Sequence, residues 1–206
     1  MFSFVLSMVA LAVSGANFYL SNIAKGELRI FMPDQIAVLA GEDRLLLQVS
    51  VPAVIYNTGA PNNWKSIENL TVAAQIKDDS RMTDAILQWK TTSRMLSKLD
   101  FEKQYPESKN VSAEDYLVYE SRKLPFSISG RQTVNRIYDF VPGKPAIPIL
   151  KGHFLIEMRV DVTTVDKVIY PSKHAVYCLA AKNVELSAQS HTYQWASRVP
   201  DIQTAC

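Results

Sequence analysis

The chain has 206 residues, with 22 Lys and Arg against 20 Asp and Glu, and a formal net charge of +2 at pH 7. Because the two signs are interspersed, the composition argues against a nucleic-acid-binding protein, which would carry a basic patch. Seven glycines and three histidines also argue against glycine-rich phosphate loops and metal chemistry. We therefore expect one ordinary domain with no cofactor, no metal ion and no nucleic-acid partner.

The first 24 residues carry no charged side chain and are mostly apolar. A helix over them would be about 35 Å long, enough to cross a hydrocarbon core of about 30 Å. The sequence therefore predicts a transmembrane helix at residues 1–24 and one domain at residues 25–206. A signal peptide cleaved before Asn17 is the alternative, although no basic residue precedes the apolar run.

Small and polar side chains recur at steps of four and three along this predicted helix, so they share one face. In a membrane, such a face lets two helices approach closely. We expect it to pack against another transmembrane subunit or a second copy of the chain, with the lipid bilayer around the rest. Serines merely tolerated in an anchor are the alternative. The predicted helix-packing interface consists of Ser3, Ser7, Ala10, Ser14, Asn17 and Ser21.

From Leu28 onward the apolar spacing changes from helical to strand-like. Residues 45–55 and 67–76 predict two strands, joined by a loop of turn-forming residues at 56–63. Pro52 has no N–H to donate, so it limits the first strand to an edge, a bulge or a strand switch. We expect the two strands to pair with each other across this loop.

The rest of the chain adds short strand-like segments and little helix. Residues 85–91 fit a short strand, and residues 93–103 fit a short surface helix. Residues 154–165 alternate apolar with charged side chains, which predicts one buried and one solvated strand face. Residues 175–186 give a last strand. Together these elements predict a mainly β fold, an antiparallel immunoglobulin-like β-sandwich of about seven or eight strands.

Trp64 lies in the predicted loop among prolines, asparagines and a lysine, with no evident packing partner in the sequence. An exposed tryptophan commonly anchors a contact with another molecule. Trp64 is therefore a candidate contact with a partner or with the membrane surface. Packing inside the domain is the alternative.

The two cysteines, Cys178 and Cys206, can form one disulfide in an oxidising compartment, or remain a buried strand thiol and a free terminal one. His174 and Cys178 would share one face of a strand, but no short-spaced cysteine pair or HExxH motif occurs, so we expect no metal site. Asp139 is interpreted as a solvated side chain, because no spaced acidic calcium loop is present.

The segments Val51–Leu70 (VPAVIYNTGAPNNWKSIENL) and Leu124–Pro142 (LPFSISGRQTVNRIYDFVP) follow the apolar start, and the first contains a strand ending in Asn-x-Gly. In this the chain resembles a loosely defined group of bacterial membrane-anchored proteins, mostly uncharacterised, with an immunoglobulin-like or LEA-like β-sandwich. The glycine often found before the next strand is replaced by Trp64-Lys65-Ser66. The resemblance implies a domain on the extracytoplasmic side of the inner membrane and no known activity. On a positive-inside count, Lys25 and Arg29 favour the cytoplasmic side instead.

These features predict a non-catalytic, membrane-anchored accessory or structural subunit that mediates protein–protein contacts in a membrane complex. No serine elbow or phosphate loop occurs, so we expect no enzyme activity. One alternative is a ligand-binding or sensory module of the cell envelope, which needs a concave pocket. The other is a hydrolase, which needs a nucleophile beside one of the three histidines.

Overall fold

The computed structural model describes residues 2–41, 45–78, 81–104, 106, 117–143, 147, 154–180, 182–183, 187, 189 and 193–200. Within these residues an exposed helix is followed by antiparallel strands and short helical segments. The elements in chain order are α1 (Phe2–Phe18), a π-helical turn (Tyr19–Ile23), β1 (Leu28–Phe31), β2 (Gln35–Ala40), β3 (Leu46–Asn57), β4 (Lys65–Asp78), β5 (Arg81–Met95), α2 (Lys98–Gln104), β6 (Leu117–Arg122), β7 (Phe126–Ile128), β8 (Thr133–Pro142), β9 (Phe154–Thr164), β10 (Ile169–Pro171), β11 (Ala175–Leu179) and β12 (Gln194–Val199).

Eight of these strands form one sheet that closes on itself. Their order is β4, β5, β8, β3, β2, β12, β11, β9, and β9 returns to pair with β4. The predicted immunoglobulin-like sandwich is therefore wrong, because β4 pairs with β5 along one edge and with β9 along the other instead of with β3. A sandwich would have kept two separate sheets. The prediction of a mainly β, antiparallel chain is confirmed.

The interior of the barrel is filled by the inward-facing side chains of alternate strand positions. This alternation follows from the two-residue period of a strand, and residues 154–165, which alternate clearly in the sequence, form β9 as predicted. Inward-facing residues without exposed surface include Val49, Val51, Ala53, Ile55, Tyr138, Phe140, Ile156, Met158, Val160 and Val162. The described core is therefore packed solid rather than hollow.

Pro52 lies in the middle of β3, where one edge of this strand changes its partner. β2 pairs with β3 as far as Ser50, and β1 pairs with it from Val54 onward. On the other edge, Pro52 lies opposite Ile137 of β8. Since proline has no N–H, it is tolerated in the gap between two partner strands. The strand switch, one of three predicted alternatives, is confirmed.

The predicted transmembrane helix at residues 1–24 is wrong. The α-helix ends at Phe18, and the following π-helical turn closes with the Ala24 N–H donating to the Tyr19 carbonyl at 2.9 Å. An α-helix of 17 residues is only about 26 Å long, short of a hydrocarbon core of about 30 Å. Within the described residues, no helix has both the length and the apolar character needed to cross a membrane. The domain boundary after residue 24 stays a prediction.

Two further sequence predictions place elements correctly but misjudge their length. The strand predicted at residues 85–91 is the middle of a longer one, β5, which runs from Arg81 to Met95. The helix predicted at residues 93–103 begins only at Lys98, because residues 93–95 belong to β5. Sheet pairing with β6 and β8 explains the difference, since tertiary contacts override weak helix propensity.

Two fully buried tyrosines differ in one respect, the partner of the hydroxyl group. Tyr177 Oη donates to the carbonyl of Pro33 at 2.7 Å, whereas Tyr138 Oη has no hydrogen-bond partner among the described residues. Burial raises the pKa of both hydroxyls. Tyr138 instead packs its ring against Trp89 and Phe126, at centroid distances of 5.7 and 6.3 Å.

Tyr138→Phe is expected to leave the free energy of unfolding unchanged or to raise it by up to about 1 kcal/mol, because an unpaired buried hydroxyl is costly. Tyr177→Phe, the matched control, is expected to lower it by about 1–2 kcal/mol, since it leaves the Pro33 carbonyl unpaired. Urea denaturation followed by circular dichroism measures both. A larger loss for Tyr138→Phe than for Tyr177→Phe would contradict the assignment.

Candidate functional site

The most unusual surface of the protein is the N-terminal helix with its π-helical turn. Its large apolar side chains are 53% to 71% exposed, and α1 carries no acidic or basic residue in its first or last turn. Soluble monomers rarely leave so much contiguous apolar surface uncovered. The exposed side chains are Phe4, Val5, Leu6, Met8, Val9, Leu11, Val13, Phe18, Tyr19, Leu20 and Ile23.

The chain leaving this helix crosses a tight turn at one end of the barrel. The Ala60 N–H donates to the Ala24 carbonyl at 3.0 Å. Glu27 and Thr58 share three further bonds. The Thr58 N–H and Oγ1 donate to the Glu27 carbonyl at 3.0 and 3.1 Å, and the Glu27 N–H donates to Thr58 Oγ1 at 2.8 Å. We call the contact of residues 24–27, 57–60 and 130–131 the helix joint.

Two glycines bring the backbones of the helix joint into direct contact. A Cβ on Gly26 would overlap the backbone of Gly59, and a Cβ on Gly130 would overlap the carbonyl group of Ala60. Since both clashes are with backbone atoms, no side-chain rotation relieves them. The joint therefore needs glycine at both positions.

Arg131 links the helix joint to the last turn of the N-terminal helix. Its φ angle is 62°, a left-handed conformation that is uncommon for residues other than glycine. Its N–H donates to the Asn57 carbonyl at 2.7 Å, and its Nη2 donates to the Leu20 carbonyl at 3.3 Å. The arginine thus connects the barrel to the π-helical turn.

Asn57 organises the turn from inside the barrel end, where its side chain is fully buried. Its Nδ2 donates to the carbonyls of Asn63 at 2.8 Å and Ile128 at 3.0 Å, and its Oδ1 accepts from the Gly59 N–H at 3.0 Å. Because both donors and the acceptor are used, the amide fixes three chain segments at once. The two segments that carry the family resemblance, 51–70 and 124–142, therefore meet at the helix joint.

A second polar feature lies on the outer face of the barrel, around Asp139. This carboxylate is only 1% exposed, so the prediction of a solvated side chain is wrong. Ser50 Oγ donates to its Oδ1 at 2.6 Å, and Thr91 Oγ1 and Ser93 Oγ donate to its Oδ2 at 2.7 and 2.5 Å. Three charge-assisted hydrogen bonds offset the cost of burying the charge.

The Asp139 network continues to a tyrosine before β12. Gln48 Nε2 donates to Ser50 Oγ at 3.1 Å and to Tyr193 Oη at 2.7 Å. Burial raises the pKa of Tyr193 to about 12, with the Asp139 charge adding to the shift and the bond with Ser50 opposing it. The tyrosine therefore stays protonated, and neutral, at physiological pH.

A groove of about 600 Å³ runs along the outer face beside this network. Its charged lining residues are Arg94, Glu120 and Arg136. The Arg94 guanidinium donates to Gln104 of α2 at 3.3 Å, and that of Arg136 lies 5.2 Å from the Phe126 ring centroid. The uncharged lining residues are Gln35, Pro52, Ser93, Asn135, Ile137 and Trp195.

The structure places the predicted helix-packing residues on the exposed N-terminal helix. Ser7, Ala10, Ser14 and Asn17 are exposed there, whereas the side chains of Ser3 and Ser21 lie outside the described part. Their contact with another helix stays a prediction.

Trp64 is 62% exposed and directly follows Asn63, whose carbonyl accepts from the joint residue Asn57. The predicted exposure of this tryptophan is confirmed, and its contact with a partner stays a prediction. Cys178 lies in β11, half-buried, while Cys206 lies outside the described residues, so the predicted disulfide stays a prediction. The extracytoplasmic placement of the domain also stays a prediction.

The histidines give no catalytic constellation in the described part. His153 and His191 lie outside it, and His174 Nδ1 lies 3.2 Å from Glu157 Oε1 on the barrel surface. No group of three or more His, Cys, Asp or Glu side chains among the described residues is arranged to hold a metal ion.

Sequence reasoning missed three contributors to these sites, namely Gly130, Arg131 and the buried Asp139. In the sequence, the pattern around Gly130 indicates only an interruption between strands. Asp139 looks like any other charged residue on a predicted strand. The only available signal was the strand alternation around Asp139, which separates it from the inward-facing Tyr138 and Phe140.

Comparison with known proteins gives little further guidance. No family model matches the chain, and no curated protein matches it. Among solved structures, it is similar to the crystal structure of a Bordetella pertussis protein provisionally named ApaA, at 9% identity over 77% of this chain and 96% of that chain. The TM-score of 0.36 is too low to support a conclusion about fold or function. The resemblance to membrane-anchored bacterial proteins stays a prediction.

Proposed function

We propose that the protein is a non-catalytic structural subunit that joins a second copy of itself through its N-terminal helix. The observation that carries the proposal is the uncovered apolar surface of α1 and the π-helical turn, where every described large apolar side chain is more than half exposed. Covering this surface removes apolar area from water, which is the main favourable term in protein association. The barrel serves as the body that presents the helix.

A second copy is the partner that the helix surface favours. The helix offers no charged group for a foreign partner to pair with, and two copies of an uncharged helix do not repel each other. Its stripe of small side chains extends along the helix, so a twofold axis would bring two identical stripes face to face. Small residues then allow close backbone approach.

The barrel end contributes the rest of the interface. Burying half of the exposed helix surface removes on the order of 550 Å² from each copy, at about 100 Å² per bulky side chain. Stable interfaces bury about 800 Å² per partner, so the helix supplies roughly two thirds of this area. Trp64 lies beside the helix joint and is 62% exposed, which makes it the natural anchor for the remainder.

Disulfide cross-linking of Ala10→Cys tests this interface, with Ala12→Cys as its matched control. The two alanines are exposed on the same helix, but about 200° apart around its axis. We expect oxidation of Ala10→Cys in the full-length chain to give mostly covalent dimer, and oxidation of Ala12→Cys to give several-fold less. Non-reducing electrophoresis measures both, and the unsubstituted chain gives the background from Cys178 and Cys206.

Equal cross-linking at the two positions would contradict the packing face. A chain that sediments as a monomer in analytical ultracentrifugation, or that associates only with lipid vesicles or with a different protein, would contradict the choice of partner. If a Trp64→Ala variant dimerised as tightly as the unsubstituted chain, Trp64 would not contribute and the interface would consist of the helix alone.

A further inference from the structure

The groove on the outer face follows one cross-strand row of the sheet. Pro52 of β3 pairs with Ile137 of β8, which pairs with Ser93 of β5, and Gln35 of β2 also lines the groove. Three strands at about 4.8 Å spacing make this row about 10 Å long. Its length is set by strand spacing and not by a loop, so the groove is preformed.

Strand alternation decides which side chains face this groove. Ala196 and Ile36 face inward and are fully buried, so Trp195 and its partner Ala37 face outward. Trp195 is only half-buried, and it stands beside the row as an aromatic wall. Asn135, opposite Val54, faces outward in the same way.

Two of the polar side chains that face the groove are uncharged and can both donate and accept hydrogen bonds. These are the amides of Gln35 and Asn135, which are exposed and make no hydrogen bond to other described residues. Each carries two donors and one acceptor oxygen. The charged lining residues are Arg94, Glu120 and Arg136, and the two guanidinium groups contact Gln104 and the Phe126 ring.

Ser93 also lines the groove, and its hydroxyl oxygen is available only as a hydrogen-bond acceptor. Its hydroxyl proton is donated to Asp139 Oδ2 at 2.5 Å, so its remaining lone pairs can only accept. Asp139 is therefore a positioning residue, because it orients the Ser93 hydroxyl without lining the groove itself.

We propose that this groove binds an oligosaccharide. One sugar ring stacks its apolar C–H face on Trp195, with Ile137 and Pro52 as the apolar floor. The ring hydroxyls, which donate and accept, pair with the amides of Gln35 and Asn135 and with the acceptor oxygen of Ser93. Binding is independent of the proposed helix pairing, because the groove lies on the side of the barrel and the helix joint at one end.

Isothermal titration calorimetry of the full-length chain tests this inference with maltotriose, cellotriose and triacetylchitotriose. We expect one of these neutral trisaccharides to bind, and Trp195→Ala to weaken it about tenfold while Trp195→Phe retains most of the affinity. Asn135→Ala is expected to weaken binding several-fold without changing the unfolding midpoint, since this exposed amide makes no hydrogen bond to another described residue.

Two outcomes would overturn the inference. These are binding of none of the neutral trisaccharides at millimolar concentration, and binding that survives both Trp195→Ala and Asn135→Ala. If Trp195→Ala is less stable because Ala37 becomes exposed to solvent, the affinity of the Asn135→Ala variant still tests whether the groove binds the sugar. Helix cross-linking at Ala10 is unaffected by any of these results.

Discussion

Gly130→Ala is expected to lower the free energy of unfolding by at least about 3 kcal/mol, or to prevent folding altogether. The added Cβ would overlap the carbonyl of Ala60, whose neighbouring N–H is bonded to the Ala24 carbonyl. The helix joint therefore has to open before the methyl group fits. Urea denaturation followed by circular dichroism measures the loss, and the fraction of soluble protein measures a failure to fold.

Gly143→Ala is the matched control for this variant. The nearest atom to a Cβ at Gly143 is the carbonyl oxygen of Ile86 at 3.6 Å, which is ordinary van der Waals contact. We expect this substitution to change stability by less than about 1 kcal/mol. Equal losses for the two variants would mean that the backbone contact at Gly130 does not constrain the fold.

Asp139→Ala is expected to cost about 3 kcal/mol of stability, because Ser50, Thr91 and Ser93 each lose a charge-assisted acceptor in a buried site. Asp139→Asn is expected to cost less, about 1–2 kcal/mol, since it keeps the shape and one acceptor oxygen. Thermal and urea unfolding of the full-length chain measure both losses.

Asp84→Ala provides the control for the removal of a strand carboxylate. Asp84 is exposed on β5, so its loss is expected to change stability by less than about 0.5 kcal/mol. If Asp139→Ala behaved like Asp84→Ala, the hydroxyl network would contribute nothing to the folded state. If Asp139→Asn were as damaging as Asp139→Ala, the charge itself and not the geometry would be the stabilising element.

The strands of this protein were largely predictable from its sequence, but their pairing was not. The alternation of apolar and charged residues at 154–165 defines β9 by itself, and Pro52 correctly signals an interruption in β3. Closure depends on β9 pairing with β4, about 90 residues earlier in the chain, and no local period encodes that contact. The same local signals fit a sandwich and a closed sheet equally well.

The prediction for the N-terminal helix was wrong for a different reason, because a lack of charged residues was taken as evidence of a membrane-spanning length. Absence of charge up to Lys25 predicts an apolar helix, and an exposed apolar helix is present. Its length, however, is limited by the π-helical turn that follows Phe18. A charge count alone does not measure this length.

The candidate sites were harder to predict, because their chemistry is made by residues distant in sequence. The exposure of Trp64 follows from its loop composition and is correct. Asp139, in contrast, becomes buried only because Ser50 and Ser93, on two other strands, flank it. Likewise Gly130 and Gly26 are ordinary turn residues until the fold presses them against the 57–60 turn.

Closure of the sheet also has a consequence for how copies of this chain can polymerise. The strands attached outside the ring, β1, β6, β7 and β10, have three to six residues, so they offer only short ladders for an incoming strand. Short edges are poor templates for fibril growth, which proceeds by lateral addition of long strands. In the described part of the chain, stacking of one molecule onto another through its sheet is therefore disfavoured, and assemblies of this protein should stay finite in size.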